Sequence, residues 1–253
     1  MAPDRPSPPA DCVFRRSYYN GLLTYTIFPV AAIAALWLFL GSAAALLARH
    51  RKTLLNFCVK GSFYLLFLIY PSVSGAVLSY FACIQMGNGF WVMRYSQTTQ
   101  CYTSEYNTFL PYAAAMVALY PFGVPFLFFG ILYSLVRRGA LEEETTKARF
   151  GFLYEAYEGR MPYFEVFELL RKLYLSAIAV YIFSGSPTQI MCSSFVAIGA
   201  CCVVLLLRPY SEADDDILAA AAHAEIFLLL SLGNMLRVGA AEKGEDEFIA
   251  ACI

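Results

Sequence analysis

GSFYLLFLIYPSVSGAVLSYFACIQMGNGFWVM, residues 61–93, runs for 33 positions without a charged side chain. Three other stretches do the same: 17–48 (32 residues), 106–136 (31) and 173–207 (35). A helix needs about 20 apolar residues to cross a hydrocarbon core of roughly 30 Å. A helix of a soluble domain keeps a polar face toward water, and these stretches have no charge with which to build one. They predict an all-α, polytopic helical membrane protein whose partner is the lipid bilayer.

Composition agrees. The 253 residues are 59% hydrophobic and 15% charged, against about 25% charged in soluble proteins. A net charge of −1 and the lack of a lysine/arginine tail argue against nucleic acid as a partner. The first apolar run is too long for a signal-peptide core, so we read it as a retained span.

Six spans are expected, at about 24–48, 61–83, 110–136, 166–184, 188–207 and 217–236. The 35-residue window is split because one helix of that length would run to about 52 Å, and Ser184-Gly185-Ser186-Pro187 in its middle is a turn signal. The domains are then a short polar N-terminal segment (1–23), the transmembrane domain (24–236) and a short acidic tail (237–253). Glu168, Arg171 and Lys172 fall where the fourth span begins and are expected to reach the interface as ion pairs. Orientation follows the positive-inside rule. Twelve basic residues lie on the side of the 49–60, 137–172 and 208–216 segments, against six on the other. That puts the N-terminus and the 84–109 loop outside, in the plasma membrane rather than an organelle. On that side a Cys83–Cys101 disulfide is permitted, and we read it in preference to two free thiols. Cys58, Cys192, Cys201 and Cys202 read as small apolar residues of the spans.

The second and third spans are each interrupted by a tyrosine-proline pair, Tyr70-Pro71 and Tyr120-Pro121, the latter followed by Pro125. Proline removes a backbone donor and kinks a helix, and the freed carbonyls need partners in lipid; Ser72 and Ser74 are placed to help. Packing kinks are the commoner outcome; a small polar cavity, of the kind in which transporters place binding sites, is the functional alternative. In the sixth span His223 and Glu225 are intramembrane ionisable residues, and such residues mark functional sites by default. Two positions apart, they point to nearly opposite faces. Glu225 is the stronger candidate because a carboxylate costs more to bury than a neutral imidazole; a carboxyl at interface level is the equal alternative. The 139–165 segment mixes charge with rings and predicts one amphipathic element at the interface. No motif of nucleotide binding, hydrolysis or metal ligation occurs, so neither an enzyme nor a cofactor is expected.

From Tyr70 to Leu236 the chain resembles the transient-receptor-potential-like C-terminal transmembrane domain family of algae, oomycetes and other protists. The residues that carry the resemblance are Tyr-Pro-Ser-Val-Ser (70–74), Cys-Tyr-Thr-Ser-Glu-Tyr (101–106), Tyr-Pro-Phe-Gly-Val-Pro (120–125), Phe-Gly-Phe-Leu-Tyr (150–154), Glu-Leu-Leu-Arg-Lys (168–172), Ser-Gly-Ser-Pro-Thr-Gln (184–189) and Leu-Arg-Pro-Tyr (207–210). The resemblance implies a channel-like membrane module with cation transport. Family members carry a large extracellular region before the first span, where this chain has about 20 residues, so it reads as a shortened member or a fragment. The link before the sixth span is short and acidic, unlike a pore loop, so a pore would need kinked helices and a homo-oligomer. The alternatives are a non-conducting receptor or adhesion-type anchor, and a carrier with a mid-bilayer site.

Overall fold

The computed structural model describes residues 18–87, 89–179 and 187–243. In chain order the helices are α1 (Tyr18–Leu46), α2 (Arg51–Ser79), α3 (Ser104–Val117), α4 (Val124–Arg138), α5 (Glu144–Phe150), α6 (Phe164–Leu173), α7 (Pro187–Leu207) and α8 (Ala213–Lys243). A π turn, Ala118–Gly123, joins α3 to α4, and a second, Tyr174–Ile178, continues α6. Five helical stretches are long and apolar enough to cross a membrane: Tyr18–Leu46, Arg51–Ser79, Ser104–Arg138, Thr188–Leu207 and Ala213–Leu236. The protein is therefore a multi-pass, all-α membrane protein. The fourth expected span is helical from Phe164 through its π turn. Most of the Ser184–Pro187 break lies outside the described residues; α7 starts at its last member, Pro187, a position where the missing N–H costs nothing.

Several helices begin before the expected spans. α1 starts six residues before the expected Thr24, α2 ten before Gly61 and α8 four before Ile217. Hydropathy delimits only the part within hydrocarbon, whereas backbone hydrogen bonding carries each helix on through the interface.

α2 is the central helix. Tyr70, Val73, Val77 and Tyr80 recur at helical spacing and are at most 1% exposed. They share one core with Val124, Phe128 and Leu132 of α4 and Leu169 and Leu173 of α6. In lipid such a core is held by van der Waals contact and hydrogen bonds between helices, not by exclusion of water. A smaller cluster joins Tyr157 and Phe164 to Cys201 and Val204 of α7 and Ala220 of α8. Here alanine and cysteine let the α7 and α8 backbones approach, and the Cys201 thiol lies 3.4 Å from the Ala220 carbonyl oxygen.

Side-chain bonds define two ends of the bundle. At one, the Tyr18 hydroxyl is 2.7 Å from Ser79 Oγ. Beside it, strands β1 (Cys83–Gln85), β2 (Trp91–Met93) and β3 (Ser96–Gln100) form an antiparallel meander with Cys83 opposite Met93 and Val92 opposite Gln100. At the other, Arg149 Nε donates to Asn56 at 2.8 Å, and the Glu158 amide donates to the Pro209 carbonyl at 2.8 Å. The 49–60, 137–172 and 208–216 segments thus share one end. The 139–165 segment is not one amphipathic helix. α5 has seven residues; its last residue, Phe150, packs against Phe63 of α2, and Phe152 in the turn after it packs against Phe67.

Candidate functional site

The tyrosine-proline pairs meet. Tyr70 donates its hydroxyl proton to the Pro121 carbonyl at 3.2 Å, and Tyr120 donates to the Thr26 carbonyl of α1 at 2.7 Å. Thr26 Oγ1 in turn lies 2.5 Å from the Tyr112 hydroxyl. The π turn at Tyr120-Pro121 opens the backbone ladder, and a phenol from the neighbouring helix satisfies a carbonyl there. α2 by contrast remains α-helical through Pro71. Pro125 is buried beside this crossing, Pro71 is half-buried, and Ser74 is fully buried with no hydrogen-bond partner for its hydroxyl. Ser72 is exposed on the other side of α2. The crossing is a hydrogen-bonded contact between three helices; the shallow groove on the outer side of α1, along Asn20, Leu23, Thr24, Ile27 and Phe28, lies elsewhere.

Cys83 and Cys101 form a disulfide with Cα atoms 6.4 Å apart. It closes the meander at its two ends, where α2 stops and α3 is about to start. Thr103 caps α3 by accepting from the Tyr106 amide. Of the remaining thiols, Cys58 and Cys201 are buried, Cys192 is half-buried and Cys202 is exposed.

The ionisable groups assemble where α6 meets α8. Glu168 accepts two bonds from Arg171, at 3.1 Å from Nε and 2.6 Å from Nη2. Their side chains are 6% and 9% exposed, so this pair points inward and does not reach the interface as expected. Its spacing explains why: residues three apart on a helix are neighbours and can satisfy each other inside. Glu168 Oε1 also stands 3.5 Å from His223 Nε2 across to α8. Both ring nitrogens of His223 lack a hydrogen-bond partner although the residue is 4% exposed. Lys172 is half-buried, 3.7 Å from Glu165 and over the Phe67 ring. Glu165 accepts from the Tyr157 hydroxyl at 2.5 Å. Burial, and then the negative Glu165 beside it, push the Tyr157 phenol far above its ordinary range. Two acids face two bases, so the cluster carries no excess charge in a poorly solvated place.

Tyr157 and Glu165 escaped the sequence reading. The signal available was the spacing 165, 168, 171, 172, which lays opposite charges on one side of a helix; the tyrosine arrives from a loop and left no sign.

α8 places His223 and Glu225 on different faces. Asp216, Ala220 and His223 are buried, and Asp216 accepts from the Tyr210 amide at 3.1 Å. Glu225 lies on the opposite, exposed side. At 100° per residue, Leu218, Glu225 and Leu232 fall within about 20° of one line along the middle of that side, flanked by Ala221, Ala222, Leu228 and Leu229, all exposed. Glu225 is twelve residues into α8, close to the middle of the Ala213–Leu236 stretch. No protein-family model, curated protein or solved structure matches this chain.

Proposed function

We propose that this chain is the membrane module of a cation-conducting homo-oligomer, the function implied by its resemblance to transient-receptor-potential-like domains. The observation that carries the proposal is Glu225: a carboxyl group near the middle of its helical stretch, in the centre of a face left exposed among the described residues. Intramembrane ionisable residues face a bundle interior or a water-filled path, because lipid solvates them poorly at a cost of several kcal/mol. A second copy of α8 packed through Ala221 and Ala222 brings backbones close and gathers the carboxylates around a shared axis, where they attract cations. The 49–60, 137–172 and 208–216 segments, with their twelve basic residues, lie on the cytoplasmic side in this arrangement, and the disulfide-closed meander and the N-terminus on the outer side, at the plasma membrane.

The test is cation flux into proteoliposomes of purified protein. Wild-type protein is expected to conduct, and Glu225→Gln to lose most of the flux while keeping its oligomeric state. A well-folded oligomer without flux contradicts the reading. That outcome favours a non-conducting receptor or adhesion-type anchor, the reading that the hydrogen-bonded crossing at Tyr70, Tyr120 and Pro121 supports.

A further inference from the structure

The meander between α2 and α3 sets a polar strand, Ser96–Gln100, beside an exposed apolar surface with almost no charge. Between Lys60 and Glu105 the only charged side chain is Arg94. Yet Phe81, Met86, Phe90, Trp91 and Tyr102 are all exposed, Trp91 by 41% and Tyr102 by 62%. Met86 and Phe90 close the β1–β2 turn, where the Met86 amide donates to the Phe90 carbonyl at 2.8 Å. Met86 and Phe90 thus present exposed apolar surface side by side, next to the turn residues.

The exposed rings are also tied to the membrane helices through a buried stack of tyrosines. Trp91 packs edge-on against Tyr102 at 6.0 Å, Tyr102 against Tyr106 at 5.5 Å, and Tyr106 stacks on Tyr80 at 4.7 Å. Tyr80 sits at the end of α2, 6.4 Å from Tyr18 at the start of α1. Tyr80 and Tyr106 are buried and fix the position of the exposed Trp91 and Tyr102 beside the helix ends, the level at which exposed aromatic rings find both an apolar body and a polar tip satisfied. Trp91 extends that level sideways. Tyr102 is held with φ of 61°, a backbone conformation that favours glycine. The backbone cost is accepted at a position whose ring bridges the meander to the helices.

We infer that the disulfide-closed meander is a lipid-surface platform, with Met86, Phe90, Trp91 and Tyr102 set into the headgroup–acyl boundary of the leaflet around its own bundle. Amphipathic aromatic surfaces bind at this depth through apolar area, without a charged partner. The platform does not depend on conduction.

The protein has two tryptophans, so Trp37→Phe leaves Trp91 as the only indole. In phosphatidylcholine liposomes its emission is expected to be blue-shifted from that of indole in water. Lipids brominated near the top of the acyl chain should quench it more strongly than lipids brominated near the terminal methyl, and iodide should quench it weakly. Water-like emission, strong iodide quenching and no effect of bromine overturn the inference. If Trp37→Phe does not fold, the difference between wild-type protein and Trp91→Phe reports the same depth and is judged by the same outcomes.

Discussion

Glu168→Leu, set against the double substitution Glu168→Leu/Arg171→Leu, probes the ionic cluster most sharply. With its carboxylate gone, the Arg171 guanidinium, 9% exposed in the native protein, has no acid within hydrogen-bonding reach on its own side of α6. Breaking a buried ion pair by removing one partner costs about 3–5 kcal/mol, whereas replacing both with apolar groups is near neutral or stabilising. The single variant should therefore be less stable than the double variant by at least ~3 kcal/mol. For a chain of this size that corresponds to a melting temperature lower by on the order of 10 °C. Thermal unfolding of purified protein in one detergent, followed through thiol exposure at Cys58 and Cys201, both buried, reads the difference. Exposed pairs are worth about 0–1 kcal/mol. Equal melting of the single and double variants would refute the claim that this pair is buried and mutually dependent.

Tyr70→Phe and Tyr120→Phe each delete one hydrogen bond to a backbone carbonyl, and each should cost about 1 kcal/mol in the same assay. Cys83→Ser should leave the helices intact but let protease cut between residues 84 and 100 in intact liposomes, a cut that wild-type protein resists until it is reduced. The Tyr157 phenol is held protonated by burial and by Glu165. A raised native pKa contributes stability that is complete below the ordinary tyrosine value of about 10 and is lost as pH rises above it. Alkaline unfolding should therefore come at higher pH in Tyr157→Phe than in wild-type protein, once their neutral-pH stabilities are matched.

The apolar windows made the spans legible because lipid demands one property, the absence of charge, over a fixed length. The same windows misplaced helix ends, since Arg51, Lys52 and Lys60 are helical yet too polar to count. The three short strands were invisible: within 83–100 a three-residue strand has no period to read, and CIQ and WVM look like the end of a span. The opposite facing of His223 and Glu225 followed from helical geometry alone and holds. Which of them the chain covers did not, because that depends on where α6 and α7 pack. The Tyr70–Pro121 and Tyr120–Thr26 bonds were equally out of reach; the prolines marked where carbonyls would need donors, but not that the neighbouring tyrosines supply them.

The central claim is that the Glu225 face of α8 meets other copies of the chain and water rather than lipid. Glu225→Cys, in a background whose cysteines outside the disulfide are replaced by serine, reports on this directly in bilayers. Rapid modification by a charged, water-soluble thiol reagent is expected and, on mild oxidation, a disulfide-linked dimer. A thiol at 225 that stays unmodified and uncrosslinked in folded protein would contradict it.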